Sequence, residues 1–233
     1  MNYLCTICAR KNSRGVKNKN IKNLNGIPLI AHTILQAQKS KMFSNIVVST
    51  DSNRIKSISK KFNIKYCLMR TKKLSNDTIS KIFVIKHAAQ MAEKYFNKKF
   101  DVIIDLDVTS PLREIDDIKK ATNKFLRSKS DVLFSVCESK KNPYFNMVEK
   151  IKKKIQLVKN TSRKVSSRQM SPKVYDMNAS IYIWKRMALI KNKSIFSNKT
   201  SIYVMPPERS VDIDSMYDWK LTKFLMKKNG ISK

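Results

Sequence analysis

Leu4-Cys5-Thr6-Ile7-Cys8-Ala9-Arg10-Lys11-Asn12-Ser13-Arg14-Gly15-Val16-Lys17-Asn18-Lys19-Asn20-Ile21 is the stretch on which the reading of this chain turns. Residues 4–9 form a short apolar run of the kind that makes a buried strand. The run breaks into a polar loop carrying Arg10, Arg14 and Lys19 around Ser13 and Gly15. A strand that ends in a basic, glycine-containing loop can aim backbone N–H groups and fixed cations at one polyphosphate. Gly15 and Gly26, two of only 3 glycines in the chain, fall in or just after this loop. An ordinary surface turn in a lysine-rich protein would look similar, so the loop alone leaves both readings open.

Working outward, residues 28–41 place Leu29, Ile30, Thr33, Ile34 and Ala37 at helical spacing, with Pro28 suited to the first helical position. Residues 46–49 predict a strand. Thr50-Asp51-Ser52 then supplies an N-cap for a helix holding Ile55 and Ile58. A strand over residues 65–69 leads to Arg70 and a polar loop, after which Asp77 is placed to cap a long helix reaching about Phe96. Residues 102–107, ending in Asp105-Leu106-Asp107, are the most strand-like run. A turn through Thr109-Ser110-Pro111-Leu112-Arg113 precedes a helix over 115–126 and a strand over 131–137. This β-loop-α rhythm with near-continuous apolar strands predicts an α/β fold, a mostly parallel sheet with helices on both faces.

The rhythm breaks at about Glu138. To Tyr175 the chain is basic and polar, with apolar pieces near 144–148 and 155–158 that predict a hairpin-like excursion. We read it as an arm that packs on another subunit; a mobile flap is the alternative. Strands follow at 179–184 and 202–205, with a short helix over 186–191 between them. Asp212-Ile213-Asp214 precedes a final helix over about 215–227. The expectation is one unit over 1–233 with an inserted arm at about 138–175.

Composition limits the alternatives. With 49 Lys and Arg against 17 Asp and Glu the formal charge is +32, which invites a nucleic-acid reading. The lysines are spread through nearly every segment, without an arginine-rich tract or interleaved aromatics, so attraction of anionic substrates is the safer inference. No apolar run is long enough to span a membrane, and the chain enters a strand without a basic-then-apolar leader, so the cytoplasm is expected. Cys5 and Cys8 form a C-x-x-C, yet residues three apart on a strand face opposite ways, and with only 2 histidines a zinc site is not indicated. Buried thiols are the better account of the 4 cysteines.

Ligands of an open parallel sheet bind beyond the carboxyl ends of its strands. Three polar signatures belong there: the loop from Arg10 to Lys19, Asp107 with residues 109–113, and Asp212 with Asp214. Carboxylates facing a phosphate loop suit Mg2+, which takes one or two carboxylates and leaves its other positions to water and phosphate oxygens. Helix capping is the competing role for Asp214, and pairing with a lysine is the role favoured for Asp105.

Four motifs in order carry a resemblance: residues 9–15 with Lys19-Asn20, residues 106–113, Asn178-Ala179-Ser180-Ile181-Tyr182-Ile183, and Asp212-Ile213-Asp214. Together, over about residues 3–226, they resemble the acylneuraminate cytidylyltransferases, or CMP-sialic acid synthetases. The stretch from Ser167-Arg168-Gln169 to Tyr175-Asp176-Met177-Asn178 is most similar to the bacterial branch acting on legionaminic acid. The resemblance implies a Rossmann-like homodimer whose arm helps close the partner's sugar site. It implies CMP transfer from CTP to the anomeric hydroxyl of a nonulosonic acid, with release of pyrophosphate and need for Mg2+. By position, Arg10, Ser13, Arg14, Gly15 and Lys19 would hold the CTP phosphates, and Asn20 and Arg70 the nucleoside. Asp212 and Asp214 would hold the metal, Arg168 and Tyr182 would lie in the sugar pocket, and Asp107 would belong to both the CTP and the sugar sites, adjusting the metal or the sugar contact. Arg10, Lys19 and Asp214 carry the catalytic role; Asp214 through a metal-bound water is a candidate base. No covalent nucleophile is needed, because in-line attack on phosphorus is served by positioning and charge.

Three departures from the family pattern matter. Lys17 replaces a proline, Asp107 stands where glutamine is common, and Tyr144-Phe145 occupies the neighbourhood of a lysine. The last suggests a more apolar wall, suited to a deoxy sugar such as legionaminic acid. Sialic, pseudaminic or 3-deoxy-octulosonic acid are the alternative substrates, and a basic nucleic-acid-binding protein without catalysis is the alternative class.

Overall fold

A computed structural model describes residues 1–13, 15–76, 78–160, 167–191 and 194–228. Strand β1 (Tyr3–Ala9) opens the chain, and a 3-10 turn at Lys19–Ile21 leads to a two-strand ribbon, β2 (Asn23–Leu24) and β3 (Ile27–Pro28). Asn25 and Gly26 join the ribbon, both at positive φ, as a tight two-residue hairpin demands. There follow α1 (Leu29–Ser40), β4 (Asn45–Thr50), α2 (Asn53–Lys61), β5 (Tyr66–Met69), α3 (Lys81–Phe96), β6 (Val102–Leu106), α4 (Ile115–Arg127) and β7 (Val132–Glu138). A hairpin of β8 (Val148–Ile151) and β9 (Lys154–Leu157) precedes β10 (Tyr175–Lys185), α5 (Arg186–Lys191), β11 (Thr200–Met205) and α6 (Met216–Lys228).

Seven strands form one sheet in the order β11-β7-β10-β6-β1-β4-β5. Its contacts are parallel except at β10, which runs antiparallel to both β6 and β7. The simple βαβ rhythm does not foresee this: β10 enters between β6 and β7, which are consecutive in the alternation. An apolar run such as Ile181-Tyr182-Ile183-Trp184 reads the same in either direction. The β8–β9 hairpin lies apart from this sheet, as the excursion predicted.

The period of two along each strand sorts the core into two layers. Cys5, Ile7, Val48, Ile104 and Leu106 pack with Ile30 and Ile34 of α1, Ile118 and Phe125 of α4, and Trp219 of α6. On the other face Leu4, Val47, Ile103 and Trp184 pack with Ile82, Ile85 and Ala89 of α3 and Leu189 of α5. Full burial of each such side chain contributes about 1.5–3 kcal/mol. Cys5 and Cys8 fall into opposite layers, as their spacing predicted; all four cysteines are free, but only Cys5 is buried and the other three are half-buried.

Several boundaries move. Pro28 takes the N-cap position of α1, one residue before the helix, because its own chain neighbour still pairs in the β2–β3 ribbon. Ser52 caps α2 by accepting from Ile55 N. Asp77 lies outside the described residues, and Ser80 is the residue at the N-cap of α3. The N-terminus of α6 is capped by Ser215 and Asp218: Ser215 N donates to Asp218 Oδ2 at 2.7 Å and Asp218 N to Ser215 Oγ at 3.3 Å. Asp214 is therefore not spent as the helix cap.

Candidate active site

The cleft lies beyond the carboxyl ends of β1, β5 and β6, has a volume of about 590 Å³, and takes in the loop after β1. That loop is shaped by its own backbone. Val16 is buried, Lys19 N donates to Val16 O at 3.1 Å, and Asn18 takes the left-handed conformation at φ 55. The turn closes without the proline that Lys17 replaces. Asn20 Nδ2 donates to Arg10 O at 2.8 Å, and Lys11 N to Asp51 Oδ1 at 2.6 Å, so both arms of the loop are tied. Gly15 meets the segment opposite: a β-carbon there would lie 1.7 Å from the Asp214 carbonyl oxygen.

The opposite wall is pinned from behind. Arg209 grips the buried Asp117 carboxylate through Nε at 2.8 Å and Nη2 at 2.9 Å. Asp117 belongs to the capping box of α4, so this bidentate pair fixes the chain leaving β11 to that helix. Asn178 Nδ2 donates to Ser210 Oγ at 3.0 Å, and Ile213 N to Thr109 O at 2.9 Å. Ile213 is wholly buried, which turns Asp212 and Asp214, on either side of it, toward the cleft. Lys19 crosses the cleft: its Nζ donates to Asp214 Oδ1 at 3.0 Å and to the carbonyl oxygen of Ile213.

Asp212 Oδ1 is buried and, among the described residues, has no hydrogen-bond partner. Burial first, then the charges of Asp107 and Asp214, push its carboxyl up to about 6, although Thr109 and Lys19 act the other way. Elsewhere in the cleft Arg70 N donates to Thr50 O at 2.7 Å, while its buried Nε and Nη2 have no hydrogen-bond partner among the described residues.

The third wall is the turn after β6. Asp107 Oδ1 accepts from Thr109 N at 3.1 Å and Thr109 Oγ1 at 3.0 Å. Its Oδ2 meets Lys81 Nζ at 2.5 Å, and the same ammonium lies 3.1 Å from Asp105 Oδ2. Burial alone would raise the Asp107 carboxyl; the Lys81 ammonium and Thr109 outweigh it and hold it below the ordinary carboxylate range. Arg113 fixes the backbone of this turn from inside the core. It donates to the carbonyls of Ser180 and Asp107, to the side chain of Gln36 and to Thr33 Oγ1. Burial brings its guanidinium down to about 10. Ser180 is available because β10 shifts register between Met177 and Tyr182, with Ala179 at φ 53.

Residues 4–225, nearly the whole chain, match the family described as Cytidylyltransferase. The chain belongs to that family. It is 43% identical, over 98% of its length and 96% of the relative's, to post-translational flagellin modification protein B of Campylobacter coli. It is also 43% identical, over 98% of its length and 97% of the relative's, to CMP-N,N'-diacetyllegionaminic acid synthase of Campylobacter jejuni. In fold it is similar to CMP:2-keto-3-deoxy-manno-octonic acid synthetase solved with CTP, at a TM-score of 0.71 and 14% identity, covering 98% of this chain and all of that one.

Within this cytidylyltransferase one cleft gathers Arg10, Ser13, Gly15, Lys19, Asn20, Arg70, Asp107, Asp212 and Asp214. Arg14 lies outside the described residues. Tyr182 lines a smaller neighbouring pocket, about 260 Å³, walled by Ile82, Ile85, Trp184 and Phe196. Arg168 is not brought to the cleft: its guanidinium donates to the carbonyl of Lys140 inside the excursion. Asp105 is fully buried and paired with Lys81, the role its position suggested. Sequence reasoning missed Lys81, which lines both cavities. One lysine among 49 basic residues, in a loop-to-helix junction without a motif, gives no signal of its own. It also missed Arg209, whose role rests on a carboxylate 92 residues away.

Proposed function

We propose that this chain transfers CMP from CTP to the anomeric hydroxyl of a nonulosonic acid, legionaminic acid before others, as a Mg2+-dependent homodimer of the cytoplasm. The observation that carries the reading is the cleft itself: a tied basic loop in contact with a two-carboxylate segment, in a chain of the cytidylyltransferase family. The 43% identity to a CMP-N,N'-diacetyllegionaminic acid synthase over nearly full length supports the choice of sugar.

In this reading the triphosphate lies along the loop, with Arg10, Arg14, Ser13 and the backbone at Gly15 as donors. Arg70 offers its buried guanidinium to the nucleoside, beside Asn20. Lys19 neutralises charge that builds on the departing pyrophosphate oxygens, and its burial strengthens that effect. Asp212 and Asp214 would hold Mg2+. The fit is good: Asp212 Oδ1 is a buried acceptor without a partner among the described residues, and burial, then the neighbouring carboxylates, raise its carboxyl, so a divalent cation would supply the missing charge. The bound cation would polarise the phosphoryl oxygens. Tyr182 serves the sugar; Arg168, held inside the excursion of its own subunit, would reach a sugar only across the dimer, from the arm of a second copy. Exposed Met147, Val148, Ile151 and Ile155 on the excursion are suited to cover by a second copy.

The test is incubation with CTP, Mg2+ and a panel of acidic sugars, following pyrophosphate. Release with N,N'-diacetyllegionaminic acid, at higher kcat/KM than with N-acetylneuraminic, pseudaminic or 3-deoxy-octulosonic acid, is expected. Equal turnover of the first two would sink the sugar preference. No release with any sugar would sink the activity.

A further inference from the structure

Lys81 is the first residue of α3, and its side chain reaches across to the end of β6. Its ammonium has three neighbours: Asp107 Oδ2 at 2.5 Å, Asp105 Oδ2 at 3.1 Å, and the ring of Tyr182, whose centroid is 4.6 Å away. An ammonium has three N–H donors and no acceptor, so these contacts leave it little to offer a substrate. Asp105 is closed off inside the core, where Thr6 Oγ1 also donates to it at 2.7 Å. Asp107 is different, because its side chain keeps some exposure and lines the cleft. Lys81 also stands where the large cleft and the 260 Å³ apolar pocket meet, since it lines both.

The Asp105 and Asp107 carboxylates are balanced by Lys81 and by the buried Arg113 guanidinium behind the turn, so what the junction presents to the cleft is the Asp107 carboxylate edge. An ionised carboxylate only accepts hydrogen bonds. That edge therefore welcomes a hydroxyl or amide N–H and offers another carboxylate no donor.

We propose that Lys81 is a specificity-determining positioning residue: it holds Asp107 as a fixed, acceptor-only wall that receives a hydroxyl or amide N–H of the acidic sugar and turns the sugar's own carboxylate away. This rests on the cytidylyltransfer reading above.

The test is steady-state kinetics of Lys81→Gln and Lys81→Arg, varying CTP and N,N'-diacetyllegionaminic acid in turn. In Lys81→Gln the KM for the sugar should rise about tenfold or more while that for CTP stays within about threefold. Lys81→Arg, which keeps the charge, should recover most of the loss. A purely structural lysine would move both KM values together or neither, and that result overturns the inference. Should Lys81→Gln not fold, judged by CTP binding in calorimetry, Asp107→Asn serves in its place, with the same selective rise expected and an unchanged sugar KM overturning the inference. If the unaltered protein binds CTP yet releases pyrophosphate with no acidic sugar, it is the cytidylyltransfer reading that falls.

Discussion

Gly15 packs on the main chain of Asp214 with no room for a side chain, since a β-carbon would stand 1.7 Å from the carbonyl oxygen. The two walls of the cleft thus touch through backbone, and the width between the basic loop and the carboxylates is set by one missing methyl group. Neither wall can give easily: Ile213 is buried in the core, and Lys19 and Asn20 are themselves buried.

Gly15→Ala should therefore separate the walls while sparing the sheet. Turnover should fall by about a hundredfold, the scale of a 1 Å misplacement, with far-ultraviolet circular dichroism unchanged. Near-normal kcat/KM for pyrophosphate release would show that the contact does not set the site.

Asp214→Asn and Asp212→Asn should each lower turnover by about a hundredfold or more. Their effects on stability should differ in origin. The Asp214 carboxylate is 80% exposed, so losing its pair with Lys19 should shift unfolding by less than about 1 kcal/mol. EDTA should stop the unaltered enzyme and added Mg2+ restore it. Full activity in EDTA would remove the metal from the scheme.

Arg209→Met tests the support behind the carboxylates. It leaves Asp117 fully buried without its bidentate cation, at a cost of about 3 kcal/mol in urea unfolding. Because Arg209 also anchors the segment that delivers Asp212 and Asp214, kcat should drop at temperatures where the variant is still folded. A change below about 0.5 kcal/mol would mean that the pair contributes little.

The C-x-x-C should be chemically quiet. Burial, and then the nearby Asp105 carboxylate, hold the Cys5 and Cys8 thiols well above the ordinary range, so little thiolate exists at pH 8. Mass spectrometry after iodoacetamide treatment of the folded protein should find both unmodified, and added zinc should not raise the Tm. Rapid labelling of Cys8, which lines the cleft at intermediate exposure, would contradict its raised thiol.

Why these parts were readable from sequence and others were not follows from the residues. The loop from Arg10 to Lys19 and the pair Asp212/Asp214 announce themselves because glycine and acids are rare in this chain; the loop follows directly on β1, whereas the pair lies beyond the 3-10 turn at Pro207–Arg209 that follows β11. The opposite faces of Cys5 and Cys8 follow from strand geometry alone. Lys81 was invisible because its meaning comes from Asp105 and Asp107, which lie 24 and 26 positions further on. The place of β10 was invisible because burial on both faces erases the alternation that would reveal a strand's direction. Asp214 could have been a cap, and only the reciprocal bonds of Ser215 and Asp218 free it for the cleft.

The Lys19–Asp214 bridge joins positions 195 apart in the chain. Loop closure over that span is paid last, after the short-range βαβ units have formed. The basic loop and the carboxylate wall are thus made at opposite times, and the finished cleft becomes a report on completed folding. In pulse-labelled hydrogen exchange during refolding, the Ile213 amide, which donates to Thr109, should gain protection later than the amides of β1 and β4. Protection arriving with β1 would place the closure early instead.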